Sequence, residues 1–198
     1  MTSWTRALRA APLLLLPALA GCINLGLGNA KVPGSLLTLT PAATLAPGTT
    51  VSGKAQTALS VIEPDADAKL AVVRVAVTVD AARVAYLKKA QWVERPSRLF
   101  QHLIAATLRA RGTHLVTEGD LLTRGTILSG RLVDFGYDAP SGAVLVRFDA
   151  VRQNGDGTVD TRRFEASVPH VAPDADAVGP ALNDAANQVA AAVADWVG

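Results

Sequence analysis

The sequence predicts one α/β (α+β) domain, a mixed, largely antiparallel sheet with two main helices packed mostly on one of its faces. Three observations carry this reading. Apolar residues alternate with polar or small ones along three stretches: Val73, Val75, Val77 and Val79; Val144, Val146, Phe148 and Ala150; Phe164, Ala166 and Val168. Two other stretches, 97–111 and 176–197, repeat apolar residues every three to four positions, the period of a one-sided helix. Between the last two strands stands Asn154-Gly155-Asp156-Gly157, residues that accept positive φ at little cost and so mark a hairpin.

Residues 1–21 read as an address. Arg6 and Arg9 precede an apolar run, 10–20, that contains Leu13-Leu14-Leu15-Leu16 and ends in small residues. This is the layout of a secretory signal. The run is about half the ~20 residues needed to span a bilayer, and Pro12 and Pro17 interrupt it. Leu19-Ala20-Gly21-Cys22 has the form of a lipobox, cut between Gly21 and Cys22. The Cys22 thiol would then carry diacylglycerol and its freed amine a further acyl chain. Each buried CH₂ contributes about 0.8 kcal/mol, and stable anchoring takes more than one chain. These covalent lipids are the only non-protein groups expected, with no cofactor and no metal. Ile23 stands where an Asp would favour inner-membrane retention, so the expected site is the outer membrane, facing the periplasm. Residues 22–35, rich in Gly and Asn, read as a flexible tether, and 36–198 as the domain.

Along the domain, residues 36–40 form a short strand candidate closed by Pro41, and 41–56 hold enough Pro and Gly to read as loop. Residues 57–62 suggest a second strand and 70–79 a stronger one. Residues 84–87 and 91–93 look like short extended pieces on either side of Lys88-Lys89. Pro96-Ser97 opens the first helix, with Ser97 a candidate N-cap. Leu99, Leu103, Ala106 and Ala110 form its stripe, and Gly112 ends it. Residues 126–137 are a strand of mixed pattern that calls for a bulge. The closing helix carries Val178, Leu182, Ala185, Val189, Val193 and Trp196 on one stripe, with Pro180 in its first turn. Residues 64–68 and 173–177 are both Pro-Asp-Ala-Asp-Ala, read as two polar turns.

Composition narrows the function. The formal charge is +2, from 19 basic and 17 acidic residues. Without Arg6 and Arg9 the basic count falls to 17 and the net charge to zero, which gives nucleic acid no electrostatic reason to bind. A single cysteine forms no internal disulfide. Aromatics are 5% of the chain, so the few present must anchor a core of small side chains. Gly48, Gly53 and Lys54 fit most of a P-loop, but Ala55 lacks the hydroxyl that would hold Mg²⁺. A calcium loop around residues 154–160 would put Arg152 and Arg163 at ligand positions, which excludes it. His102, His114 and His170 show no metal spacing, and no G-x-S-x-G elbow is present, which leaves a serine hydrolase assembled in space as the only enzymatic alternative.

Four stretches together resemble the ABC-type transport auxiliary lipoprotein family, small lipoproteins associated with MCE-domain lipid-transport systems. Leu36-Leu37-Thr38-Leu39-Thr40-Pro41 resembles the family's opening Y-x-L-x-P, without its aromatic residue. Trp92-Val93-Glu94-Arg95-Pro96, running into the helix at Leu99, resembles W-x-E-x-P. Leu132-Val133-Asp134-Phe135 resembles the central strand with its Phe. Phe164-Glu165-Ala166, then Ala181-Leu182-Asn183 and Trp196-Val197, resemble the closing strand and helix. The motif residues Trp92, Glu94, Pro96, Phe135, Phe164, Leu182, Asn183 and Trp196 are thus the candidate anchors. The resemblance implies a non-enzymatic part: a lipoprotein partnering the periplasmic MCE-domain protein of an ABC transporter, with room for self-association into a homo-oligomer. The alternative is a structural lipoprotein supporting a lipopolysaccharide or β-barrel assembly machine.

Overall fold

Strand β6, Thr126–Asp138, is the axis around which the other strands are laid. The computed structural model describes residues 34–119 and 125–198; the expected signal, the lipobox residues Gly21 and Cys22 and nearly all of the tether lie outside them. One edge of β6 pairs antiparallel with β7, Ala143–Gln153, which pairs antiparallel in turn with β8, Val159–Val168. The other edge is shared by three short strands, all parallel to it. β1, Leu59–Val61, lies opposite Thr126 to Leu128; β2, Asp65–Ala66, opposite Arg131 and Leu132; β3, Arg74–Thr78, opposite Gly136 to Asp138. Outside them, β5, Val116–Glu118, runs parallel to β1, and β4, Val84–Gln91, antiparallel to β3. The sheet is therefore mixed, and its long ladders are the antiparallel ones.

The mixed pattern of β6 has a specific cause. Its register slips between Leu132 and Asp134, so one extra residue re-phases the strand. Leu128 and Leu132 face the core before the slip, Phe135 and Tyr137 after it. The hairpin between β7 and β8 turns at Asn154 to Thr158, where the Gly157 N–H donates to the Asn154 carbonyl at 2.9 Å and Gly157 has φ +88°.

Helix α1, Pro96–Arg111, and helix α2, Ala175–Val197, lie side by side on one face of the sheet. α1 buries Leu99, Phe100, Leu103, Ile104 and Leu108; α2 buries Val178, Leu182, Val189 and Val193 among buried alanines that let it sit close. The other face of β6, β7 and β8 is paved with ion pairs. Asp134 lies between Lys69 (2.6 Å) and Arg147 (2.5 Å), Arg147 also meets Glu165 (2.7 Å), and Arg163 meets Asp149 (2.6 Å). Strand alternation puts these charges opposite the apolar set of the same strands.

Several expectations shift in detail. Residues 36–40 do not form a strand; only Leu37 bridges, parallel to Trp92. The strand expected over 70–79 starts at Arg74, because Ala68–Leu70 close a 3₁₀ turn that buries Leu70. The two pieces around Lys88-Lys89 are one strand, β4, with residues 87–90 looped out opposite Val75 and Lys89 at φ +60°. Arg95, not Ser97, caps α1; the Ser97 hydroxyl instead donates to Glu63 at 2.7 Å. α2 begins at Ala175, so Pro180 falls in its second turn and forgoes one backbone hydrogen bond. The two Pro-Asp-Ala-Asp-Ala copies are not both turns. The first supplies β2, and in the second Asp174 caps α2, accepting the Ala177 N–H at 2.9 Å.

Candidate functional site

The motif stretches that stand far apart in sequence converge where the chain enters the fold. The Leu37 N–H donates to the Gln91 carbonyl at 2.7 Å, and the Val93 N–H donates to the Leu37 carbonyl at 2.9 Å. Trp92, between them, donates its N–H to Val73 at 2.8 Å and points its ring into the core. Beyond Leu37 the chain leaves the sheet and lies along α2. There the Asn183 side-chain oxygen accepts the Thr40 N–H, and the Asn187 oxygen accepts the Ala42 N–H, both at 2.8 Å. Asn187 Nδ2 donates back to the Thr40 carbonyl at 3.0 Å. Gly179, one turn before Asn183, leaves room for Leu37, since a Cβ there would come within 2.8 Å of a Leu37 methyl.

Side-chain amides are suited to this seat. Each offers both an acceptor and a donor, so it can stand in for the strand partner that Thr40 and Ala42 lack. The arm of residues 37–42 is thereby fastened twice, by the sheet at Leu37 and by the helix at Asn183 and Asn187.

The remaining motif residues support this seat or the core behind it. Trp92 meets Phe135 edge-on at 5.5 Å; Phe135 lies 6.1 Å from Phe100, which lies 5.3 Å from Phe148. This row of rings ties the seat to β6 and β7 through α1. Glu94 pairs with Arg98 at 3.0 Å, and Pro96 is the first residue of α1. Glu63 accepts from Ser97 and pairs with Arg95 at 3.3 Å, fixing the entry to that helix. Leu182 is buried under α2 beside Asn183. Phe164 and Trp196 lie 5.6 Å apart at the other end of α2, where Arg152 stacks on Trp196 and donates to its carbonyl at 2.8 Å. They belong to a second cluster, away from the arm. Asn187, Gly179 and Glu63 are seat residues that sequence reading missed. Asn187 had a signal: it follows Asn183 by four positions, one helical turn on the same face.

Two of the three histidines have protein partners. His102 Nδ1 donates to Glu118, which also accepts from Arg109 at 2.7 Å. His114 contacts the terminal Gly198 carbonyl at 2.7 Å, and His170 follows β8 with φ +59°. Gly48 sits in a loop with φ +81°, and the residues after Lys54 form a three-residue 3₁₀ turn instead of the helix a phosphate loop needs. Among the described residues no three His, Cys, Asp or Glu side chains converge to hold a metal, and no helix is long and apolar enough to cross a membrane.

The fold has solved counterparts. A protein from Xanthomonas campestris is similar over 82% of this chain and 94% of its own, with a TM-score of 0.69 and 19% identity. An uncharacterized protein is similar over 83% of this chain and all of its own, with a TM-score of 0.64 and 14% identity. At these identities the likeness speaks to the fold. No curated protein matches the chain in sequence. The model of the ABC-type transport auxiliary lipoprotein component matches residues 37–194, from the residue that bridges to Trp92 to the last turn of α2. The chain belongs to the ABC-type transport auxiliary lipoprotein component family.

Proposed function

We propose that this protein is a lipid-anchored, non-catalytic periplasmic component of an MCE-linked ABC transport system, helping phospholipid or another hydrophobic cargo pass between inner and outer membranes. The observation that carries this reading is the family match, which begins at Leu37. The segment before that residue ends in a tether behind a lipobox, and the segment after it is bolted to α2 by Asn183 and Asn187. A domain held in this way is a positioned scaffold. Moving a lipid through water exposes acyl surface at a cost of about 25 cal/mol per Å². A continuous protein path removes that cost, and an anchored scaffold can fix one end of the path. ATP would be spent by a separate subunit, in keeping with the incomplete phosphate loop at Gly48, Gly53 and Lys54.

The test has two parts. Mass spectrometry of the protein isolated from envelope membranes is expected to find diacylglycerol and an N-acyl chain on Cys22. Purification from cells that also produce the MCE-domain protein of the same organism is expected to bring that protein down. Repeated purifications free of any MCE-domain protein, with both chains expressed, would overturn the reading.

A further inference from the structure

Six large apolar side chains are exposed among the described residues, and four of them, Leu36, Val72, Val73 and Val93, gather where the tether joins the fold. The backbone bonds described above lay Leu37 beside Trp92 and Trp92 beside Val73. Leu37 and Trp92 face the core, so their neighbours Leu36 and Val93 point the other way, 51% and 50% exposed.

The charges beside this patch are lopsided. Arg74, Lys88 and Lys89 are exposed and form no ion pair among the described residues, and both lysines lie in the bulge of residues 87–90 on the edge strand β4. Arg95 and Arg98 follow Val93, with Glu63 and Glu94 as their partners. Five cations therefore stand near two carboxylates, on a mature chain with no net charge.

We infer that this edge of the domain, with Leu36, Val72, Val73 and Val93 at its centre and Arg74, Lys88 and Lys89 beside it, docks on the anionic phospholipid surface of the membrane that holds the Cys22 anchor. The inference rests on the reading that Cys22 is acylated. Only 14 positions separate Cys22 from Leu36, a reach of at most about 50 Å at full extension. The patch is the part of the described fold attached directly to that tether, so along the chain it is the part nearest the anchor. Apolar side chains entering the headgroup boundary, flanked by lysines, are the chemistry of interfacial membrane docking. Docking there would point the β8 edge, on the far side of the sheet, away from the membrane.

The experiment uses the acylated mature protein in vesicles of phosphatidylethanolamine with a minority of phosphatidylglycerol. Because acylation occupies the native thiol, Val93→Cys adds one free site for an environment-sensitive fluorophore, and Asp156→Cys, in the β7–β8 turn, serves as the reference. Nitroxide-labelled lipid is expected to quench the Val93 probe several-fold more than the Asp156 probe. Lys88→Gln with Lys89→Gln is expected to weaken docking by about fivefold per charge removed, and vesicles without phosphatidylglycerol to act in the same direction. Equal quenching at the two sites overturns the inference. So does a Val93 probe shielded from lipid and aqueous quenchers alike, which would mean that the tether or a second protein covers the patch. Mass analysis of the same sample separates the two claims. A Cys22 without acyl chains overturns the anchoring reading, and the ratio between the two probes still reports on the face.

Discussion

Asn183 and Thr40 are 143 positions apart in sequence, and the side chain of one accepts the backbone N–H of the other at 2.8 Å. That bond, with its counterpart from Asn187 to Ala42, makes the N-terminal arm part of the fold. It also joins the first and last of the family motifs into a single feature.

Asn183→Ala is expected to leave the Thr40 N–H without its partner and to cost about 1 kcal/mol, or about 2–4 °C in Tm for a chain of this size. Asn183→Asp keeps the acceptor and is expected to cost less. Asn187→Asp loses the Nδ2 donations to Thr40 and Asn183 and is expected to resemble Asn187→Ala more closely. Amide hydrogen exchange should locate the effect, with protection lost at Thr40 and Ala42 and retained in β6 and β7. Uniform loss across the sheet would show that the arm is not a separate fastening.

Trp92 gives a prediction about packing. Its ring is buried against Phe135, and its Nε1–H has no partner among the described residues. Trp92→Ala removes the largest side chain of the seat and is expected to cost about 3–5 kcal/mol. Trp92→Phe keeps an aromatic edge toward Phe135 and removes the unpaired donor, so it is expected to cost less than half as much. Urea unfolding of the two variants checks the order. Equal losses would mean that a benzene ring at this position restores none of the packing that the indole supplies.

The long ladders and both helices were legible because their periods run for ten residues or more. Alternation in β7 and β8 and the stripe of α2 each carry enough repeats to stand out from composition. β2 and β5 were not legible, since two or three residues cannot display a period, and both exist only because β6 and β1 offer them an edge. The arm was misjudged for a related reason. Leu36 to Thr40 alternates like a strand, but after Leu37 its partner is a helix side chain, which no local pattern encodes. Within the seat, Trp92 and Asn183 were legible through family motifs. Glu63 was not, because its role comes from Ser97 and Arg95 meeting it across the fold.

Acid stability should report on Glu118. Burial acts to raise its carboxyl, yet hydrogen bonds from Arg109 and His102 outweigh it and hold the group below its ordinary value. Hydrogen bonds from Arg163 lower Asp149 likewise, against a smaller effect of burial. Both carboxylates bind protons less readily folded than unfolded. Their stabilisation is therefore complete above the unfolded values, about 4.3 for Glu and 3.9 for Asp, and is lost as pH falls through the depressed folded ones. Glu118→Gln is expected to cost about 1 kcal/mol at neutral pH after solvent screening, and to flatten the fall of Tm on acidification. An unchanged acid slope in this variant would place the sensitivity elsewhere.

The open face of the sheet is held by a shared carboxylate, and that makes its energetics non-additive. Asp134 is mostly buried and accepts from Lys69 at 2.6 Å and from Arg147 at 2.5 Å. Arg147 has a second partner in Glu165, whereas Lys69 has none among the described residues. Asp134→Asn keeps the shape and removes the charge, so Lys69 loses more than Arg147 does. We expect a loss of about 1–2 kcal/mol from this change, since charged hydrogen bonds contribute about 1.5–3 kcal/mol and partial exposure reduces that. Lys69→Met alone should cost less, because Arg147 still neutralises Asp134. The two together should cost less than their sum, by about 1 kcal/mol, as contacting residues do in double-mutant cycles. Arg147→Met in the Asp134→Asn background should couple more weakly, because Glu165 keeps that guanidinium occupied. Denaturant unfolding of the set decides it, and full additivity between positions 69 and 134 would show that solvent screens the pair entirely.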